Sequence, residues 1–206
     1  MEHIARIFPK ATGQNNLHTK QPKTSLVAWP KIRQEIAEKV LEHYPTEAEF
    51  ITKFNHRVTV KRYEAIKTVA QAYDAGYVTL AELKVIYSTE APRFLIESWL
   101  MQFILYLDLP LNKDQINELA WYIYEELYML NMAELNLFFN FIKKGRYGSF
   151  YGRIDPAELL RWCREYRRER GAYISKLPDD YQSPLLKRAK EEFNNQKSIQ
   201  NENEES

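Results

Sequence analysis

The chain has 206 residues, a formal net charge of +1 and 45% apolar residues, a composition sufficient for one packed domain. This charge argues against a globally basic coat protein for nucleic acid. The only cysteine, Cys163, excludes an intrachain disulfide and a multi-cysteine metal site. The first residues lack the long apolar core of a secretory signal, and the most apolar run, residues 94–109, is too short and polar to cross a bilayer. We therefore expect a cytoplasmic protein that does not contact a membrane.

Signals for helix starts recur from Pro30 onward, after a polar stretch over residues 1–25 that predicts a flexible arm. Thr46 and Glu49 fit a capping box, in which the threonine hydroxyl accepts one backbone N–H group and the glutamate carboxylate accepts another. The apolar spacing over residues 58–73 then predicts one continuous helix.

The middle of the chain contains the most apolar helical segment, which begins at Pro92 and is apolar nearly all round. We expect this segment to form the central buried helix. Four further residues have the position and chemistry of helix caps: Thr79, Asn112, Asn131 and Asp155. Ser183 begins a last short helix, and the polar end of the chain from about Asn194 predicts disorder.

No segment shows the sustained alternation or the valine- and threonine-rich runs of β-strands. The sequence therefore predicts a mainly α protein, a compact orthogonal bundle of seven or eight helices with disordered termini. We divide it into a flexible arm (residues 1–25), a helical domain (residues 26–175) and a short helix with a disordered tail (residues 176–206). Within the domain, residues 131–171 are predicted to form a helix–loop–helix module.

The loop of this module is the most informative stretch of the sequence, because it contains three of the chain's six glycines. These glycines alternate with aromatic residues and are surrounded by cations: Gly145, Gly148 and Gly152; Tyr147, Phe150 and Tyr151; Lys143, Lys144, Arg146 and Arg153. Glycines allow close approach of the backbone, and exposed rings can stack on bases, so the loop is compatible with single-stranded nucleic acid. It is equally compatible with a structural corner whose rings pack into the core, and it lacks the Walker pattern of a nucleotide site.

The helix that follows the loop, over residues 156–170, has two faces of opposite character. Its apolar face contains Leu159, Leu160, Trp162, Cys163 and Tyr166, and its opposite face contains Arg161, Arg164 and Arg168. A row of guanidinium groups can bind the phosphates of a nucleic-acid backbone or an acidic partner. The alternative is a solvated face with ion pairs such as that between Arg161 and Glu165.

Charge is unevenly distributed along the second half of the chain. Residues 108–134 contain six acids and one lysine, whereas residues 143–170 contain nine lysines and arginines and four acids. These blocks either neutralise each other inside the fold or present separate faces to partners. The acidic helix, residues 113–130, also has more aromatic residues than one amphipathic stripe needs: Trp121, Tyr122, Tyr124 and Tyr128. This surplus indicates either a protein interface or a helix buried on two sides.

The sequence contains no arrangement that indicates catalysis. Its four histidines, at positions 3, 18, 43 and 56, have no metal-ligand partner at helical spacing. Cys163 lies on the apolar face of its helix, where a cysteine is a small buried hydrophobe rather than a nucleophile. We therefore expect a non-enzymatic protein with no metal, no other cofactor and no small-molecule substrate.

Several residues around the glycine loop fit a longer pattern, K-x-G-x-Y-G-x-F-Y-G-x-x-D, preceded by an acidic helix and an aromatic pair and followed by an arginine-rich helix. They are Glu134, Leu135, Phe138, Phe139, Lys143 or Lys144, Gly145, Tyr147, Gly148, Phe150, Tyr151, Gly152 and Asp155. The pattern resembles one in uncharacterised small helical proteins carried by phages and conjugative elements of Bacteroidetes-type bacteria, and it covers about a quarter to a third of the chain. The resemblance carries over no activity, but its setting implies an accessory of replication or partitioning, similar to a helicase loader or replisome organiser.

These features lead to two hypotheses. In the first, the protein is a non-enzymatic accessory of mobile-element or phage DNA metabolism that binds DNA, single- or double-stranded, or a replication protein. Its binding residues would be Lys143, Lys144, Arg146, Tyr147, Tyr151, Arg153, Arg161, Arg164 and Arg168. In the second, the protein is an adaptor that binds another protein through the aromatic acidic helix and does not contact nucleic acid. A further possibility is a purely structural or self-associating protein, which would have no partner and a mass that depends on concentration.

Overall fold

The computed structural model describes residues 31–75, 78–107, 110–148, 155–178 and Tyr181, and the regular structure in this part of the chain is helical. The predicted mainly α bundle is confirmed. Its helices are α1 (Lys31–His43), α2 (Glu47–Lys53), α3 (His56–Arg62), α4 (Val69–Asp74), α5 (Leu80–Ile86), α6 (Ala91–Leu107), α7 (Lys113–Leu127), α8 (Met132–Lys143) and α9 (Pro156–Ile174). The predicted arm, the short helix at Ser183 and the tail lie outside the described residues.

Local capping chemistry begins several of these helices where the sequence predicts it. At four of the predicted starts, the cap side chain and the side chain three residues later each accept the other residue's backbone N–H group: Thr46 with Glu49, Thr79 with Glu82, Asn112 with Gln115, and Asn131 with Glu134. Asp155 caps α9 by accepting the backbone N–H group of Ala157, and Pro156 occupies the first helical position. These predicted helix starts are confirmed.

The prediction of one continuous helix over residues 58–73 is wrong. The chain leaves helical geometry after α3, and α4 begins with its own capping box. The Thr68 hydroxyl accepts the N–H group of Gln71 at 3.2 Å, and the Gln71 side chain accepts the N–H group of Thr68 at 3.2 Å. This local pairing interrupts a segment whose apolar spacing alone favours one helix, and it gives the described residues one helix more than the highest number predicted.

The centre of the bundle is α8 rather than α6. The expectation that the segment after Pro92 forms the central buried helix is wrong, because α6 leaves Phe94, Leu105 and Tyr106 exposed. In α8, by contrast, ten of the twelve residues are buried. The central position of α8 means that even its polar side chains lie in the interior, among them Glu134 and Asn136.

Aromatic contacts hold α8 between two layers of helices. On one side, the ring of Phe139 packs against the rings of Trp99 and Phe103 from α6, with centroid separations of 5.5 and 5.6 Å. On the other side, the ring of Phe138 lies 5.6 Å from the ring of Tyr166 of α9 in an edge-on arrangement. Each such pair adds about 0.5–1.5 kcal/mol beyond the burial of its apolar surface.

The acidic helix α7 lies between α6 and α9. Asn117 Nδ2 donates a hydrogen bond of 2.8 Å to Glu97 of α6, and Glu126 forms ion pairs with arginines of α9. The predicted apolar face of α9 is confirmed, since Leu159, Trp162, Cys163 and Tyr166 are buried. The outer surface of α7 and the arginine face of α9 therefore border the same side of the molecule.

A Schellman motif ends α8 at the glycine loop and explains the first of the loop glycines. The N–H group of Gly145 donates to the carbonyl of Ile142 at 2.9 Å, and that of Arg146 donates to Phe141 at 3.0 Å. The motif requires the left-handed backbone that Gly145 adopts, with φ of 71°. The Arg146 guanidinium completes it by stacking on the Phe141 ring, 4.1 Å from the centroid.

Replacement of Gly145 by alanine is expected to lower the free energy of unfolding by about 1–2 kcal/mol, the cost of left-handed backbone for a residue with a Cβ atom. The space for that atom is adequate, because its nearest neighbour would be the Gly148 carbonyl oxygen at 3.5 Å. Gly171→Ala is the matched control, for which we expect a change of opposite sign in the free energy of unfolding. Gly171 lies inside α9 with nothing within 4 Å of an added Cβ, so alanine should stabilise the protein by about 1 kcal/mol. Urea unfolding of both variants checks this, and destabilisation by both would contradict it.

Candidate functional site

Seven of the nine predicted binding residues lie in the described part of the chain, and Tyr151 and Arg153 lie outside it. Tyr147 is half-buried, with its ring 6.5 Å from Phe138 and 6.3 Å from Phe141, so it joins the loop to the core. Burial, followed by the nearby Glu169 carboxylate, raises the pKa of the Tyr147 hydroxyl. These contacts leave Tyr147 poorly placed to stack on a base.

The acidic and basic blocks neutralise each other where α7 meets α9. Glu126 accepts from Arg164 Nε at 2.9 Å and from Arg167 Nη1 at 2.5 Å. Burial alone raises the pKa of the Glu126 carboxyl, but its hydrogen bonds and charge interactions with the two arginines outweigh burial and hold that pKa below its ordinary value. Of the two alternatives for the blocks, mutual neutralisation therefore applies at this interface.

Other predicted binding residues also have partners within the fold. Arg161 pairs with Glu158 and Glu165 of its own helix, as the sequence suggested for Glu165, and donates to the Tyr147 carbonyl at 3.2 Å. Arg146 pairs with Glu169 at 2.8 Å. Within the described residues, Lys144 and Arg168 are exposed and have no ion pair.

A fully buried carboxylate in α8 is a further charged group, and its burial is not apparent from the sequence. Glu134 is 0% exposed, and its carboxylate accepts from Arg170 Nε at 2.7 Å and from the Asn131 backbone at 3.0 Å. Burial raises the pKa of Glu134, and the Arg170 guanidinium opposes this shift. The Arg170 guanidinium also lies 5.0 Å above the Tyr73 ring, so this ion pair joins α8, α9 and α4.

The outer surface of α7 exposes three large aromatic side chains next to the arginine face of α9. Trp121, Tyr122 and Tyr128 are 43%, 40% and 48% exposed, whereas Tyr124 is partly buried against the core. Two exposed carboxylates, Glu118 and Glu125, lie among these rings, and Tyr122 donates to Glu118 at 3.0 Å. We call this surface the α7 ridge and define it as Glu118, Trp121, Tyr122, Glu125 and Tyr128. A cleft of about 410 Å³ separates it from α9 and is lined by Tyr122, Glu125, Glu126, Leu160, Arg164 and Arg167.

His56 is buried, 4% exposed, between the rings of Trp99 and Phe139, whose centroids lie 5.1 and 5.9 Å from its own. Lys143 Nζ lies 3.4 Å from His56 Nδ1, a distance at which the ammonium can donate to a neutral imidazole. Burial, and second the charge of Lys143, lower the pKa of His56 to about 4. The imidazole is therefore neutral at physiological pH.

We expect His56 to make the protein lose stability on acidification. Its folded pKa of about 4 lies below the value of 6.5 for an unperturbed histidine, so between these values the unfolded chain binds more protons. The free energy of unfolding should fall by roughly 1–2 kcal/mol from pH 7.5 to 5, and His56→Phe should remove most of that loss. Urea unfolding at both pH values tests this. His43→Phe, at an exposed position, is the control, and an equal effect of the two substitutions would contradict the assignment.

Fold and surface together define a mainly α-helical protein with an exposed aromatic and acidic ridge, flanked by a helix whose arginines are largely ion-paired. Among the described residues, no group of His, Cys, Asp or Glu is arranged to hold a metal ion, and no helix has the length and apolarity needed to span a membrane. Residues 109–201 match a protein family of unknown function, DUF6633. No curated protein and no solved structure matches the chain. The matched segment contains α7, α8 and α9, and with them the whole α7 ridge.

Proposed function

We propose that this is a non-enzymatic, cytoplasmic interaction protein that binds a protein partner through the α7 ridge. The observation that carries the proposal is the exposure of three large aromatic side chains, 40–48%, along one helix. Tyrosine and tryptophan dominate the energetics of protein interfaces, because they bury a large area at a small cost in side-chain entropy. The arginines of the neighbouring helix support the proposal indirectly. Their ion pairs with Glu126, Glu158 and Glu165 weaken the attraction of this helix for a polyanion such as nucleic acid.

The proposed setting is the DNA metabolism of phages or conjugative elements, in which this protein acts as a non-enzymatic accessory. Support for the setting is the resemblance at the glycine loop, carried by residues such as Gly145, Tyr147 and Gly148. The Schellman geometry at Gly145 and the core contacts of Tyr147 give two of these residues a structural role. The proposed setting therefore depends on the sequence resemblance at the glycine loop, whereas the proposed binding surface depends on the exposed aromatic residues of α7.

Site-specific photo-crosslinking tests the proposed surface. Tyr122 is replaced by p-benzoylphenylalanine in cells that naturally produce the protein, and the control places the same group at Glu38, which is exposed on α1. We expect covalent protein adducts at position 122 that are absent at position 38. Absence of adducts at 122, or equal adducts at both positions, would count against the α7 ridge as a binding surface.

Nucleic-acid binding is a second candidate function, and the unused donors on α9 favour it. Arg164 pairs through Nε and Arg167 through Nη1, so the other guanidinium nitrogens of each remain available in these pairs, and Arg168 is exposed without an ion pair among the described residues. Such donors suit phosphate oxygens.

Fluorescence-anisotropy titration of labelled single- and double-stranded DNA at two salt concentrations tests this second candidate. Lys144→Ala/Arg168→Ala removes two cations that have no ion pair in the described structure, so it should leave the fold intact. If both side chains contact phosphates, the negative slope of log affinity against log salt becomes shallower by about 2 in the variant. Lys84→Ala, at an exposed position of α5, is the control. Absence of binding at low salt excludes this function and leaves the protein-binding proposal intact.

A further inference from the structure

A second exposed apolar surface lies at the C-terminal end of α6 and differs from the α7 ridge in charge. Leu105 and Tyr106 are 65% and 66% exposed, the highest values among the large hydrophobic side chains of the described residues. Lys143 Nζ lies 4.6 Å from the centroid of the Tyr106 ring, and the backbone N–H of Arg57 donates to Gln102 at 2.9 Å, one turn before Tyr106. We call this surface the α6 patch and define it as Arg57, Leu105, Tyr106 and Lys143.

The two surfaces have opposite charge and similar apolar character. The α7 ridge contains Glu118 and Glu125, whereas the α6 patch contains two cations. No ion pair joins either cation, Arg57 or Lys143, to a carboxylate in the part of the chain that the structure describes. A surface with aromatic rings and carboxylates is complementary to one with aromatic rings and cations, through ion pairs and cation–π contacts.

The two surfaces do not cover each other within one molecule. The hydrogen bond between Asn117 and Glu97 sets the alignment of the antiparallel pair α6 and α7, and it places Trp121, one turn after Asn117, near the level of Arg93. Leu105 lies twelve residues beyond Arg93 on α6. At 1.5 Å per helical residue this separates the α6 patch from Trp121 by about 18 Å along the helix axis.

We infer that the occupant of the α7 ridge is the α6 patch of a second copy of this chain. The inference rests on the proposed function, because it names the partner of the same ridge. If the ridge and the patch of one copy bind two different neighbours, the contact is heterologous and the assembly is a closed ring or an open chain. If both bind the same neighbour, the assembly is a two-fold dimer with two ridge–patch contacts. The contact between ridge and patch would cover five of the seven exposed large hydrophobic side chains of the described residues: Leu105, Tyr106, Trp121, Tyr122 and Tyr128.

Complementation between two defective variants tests this arrangement by sedimentation velocity. The ridge variant is Trp121→Ser/Tyr128→Ser, and the patch variant is Leu105→Ser/Tyr106→Ser. All four side chains are exposed, and circular dichroism with thermal unfolding confirms the fold of each variant. The wild type should show a mass that rises with concentration, and either variant alone should have an association Kd at least about tenfold higher. An equimolar mixture should form a dimer and nothing larger, because the intact patch of one variant binds the intact ridge of the other.

Several results would overturn the inference. A wild type that stays monomeric up to a few hundred micromolar excludes self-association, and crosslinks from position 122 to a different protein would then leave the proposed function standing. Association of the wild type without dimers in the mixture shows that copies associate through other surfaces and excludes the contact between ridge and patch. If a serine variant fails to fold, Glu118→Lys/Glu125→Lys replaces the ridge variant, and association with Lys143→Glu should recover in the mixture.

Discussion

Replacement of Arg170 by methionine is expected to lower the free energy of unfolding by about 3–5 kcal/mol, because it leaves a buried carboxylate without its counter-charge. Glu134 is fully buried, and its carboxylate accepts from Arg170 Nε at 2.7 Å. Methionine retains much of the apolar stem of arginine, so loss of packing is a minor part of the effect. Arg168→Met, at an exposed position of the same helix, should change stability by no more than about 0.5 kcal/mol.

A double-mutant cycle with Glu134→Gln identifies the buried charge as the cause. Glutamine retains an oxygen that can accept the Asn131 backbone N–H group, so the helix cap remains, but it has no charge to compensate. Arg170→Met should therefore cost much less in the Glu134→Gln background, with an interaction energy of roughly 1–3 kcal/mol. Equal costs in both backgrounds would show that Arg170 stabilises the fold by other contacts, such as that with Tyr73.

The effect of Arg170→Met should also depend on pH with a defined sign. Burial already raises the pKa of Glu134, and loss of the Arg170 guanidinium, which opposes that shift, raises it further. A carboxyl with a raised folded-state pKa stabilises the fold below its unfolded pKa and loses that contribution as pH rises through the folded value. The deficit of the variant relative to wild type should therefore be smaller at pH 5 than at pH 8 in urea unfolding.

Phe139→Ala is expected to have a comparably large effect, a loss of about 3–5 kcal/mol, because its ring lies at the centre of the bundle. It is fully buried and contacts the rings of His56, Trp99 and Phe103. Alanine would leave a cavity between α8 and the layer formed by α3 and α6. Phe94→Ala removes the same atoms from an exposed position, where the ring contacts Arg93, and should cost less than about 1 kcal/mol. Similar losses for the two variants would contradict the central position of α8.

Helix starts were predictable from the sequence because capping is a local interaction. The pairs Thr46 with Glu49 and Asn131 with Glu134 are three residues apart, and each satisfies backbone groups within one helical turn. The same chemistry at Thr68 and Gln71 divides residues 58–73 into two helices, although the apolar spacing across the break predicts one.

The central helix was not predictable in the same way, because burial depends on how helices pack. The segment in α6 is apolar nearly all round, yet Leu105 and Tyr106 extend beyond the neighbouring helices. In α8, Glu134 is polar but lies at the centre, where Arg170 compensates its charge. Hydropathy describes a segment's own preference, whereas its neighbours determine its exposure.

The chemistry of the candidate site was only partly accessible from the sequence. The arginine face of α9 and the aromatic surplus of α7 follow from helical periodicity, but the sequence left open whether the aromatic side chains are exposed or buried on a second side. Glu126 bridges Arg164 and Arg167, which lie about forty positions away in the sequence. Prediction of this contact requires knowledge of how α7 packs on α9. The ion pairs change the balance between the two hypotheses, because an exposed arginine with a carboxylate partner attracts a phosphate less strongly than a free one.

The position of α8 between two layers also bears on what constitutes a folding unit in this protein. The family match begins at residue 109, after α6 has ended. A fragment with that start would contain α7, α8 and α9 but would lack α3 and α6, which cover one whole side of α8. The rings of Phe139 and its neighbours on that side would then face water. The boundary of the family match is therefore not the boundary of an autonomous domain, and the helices that precede it act as a scaffold built into the same chain.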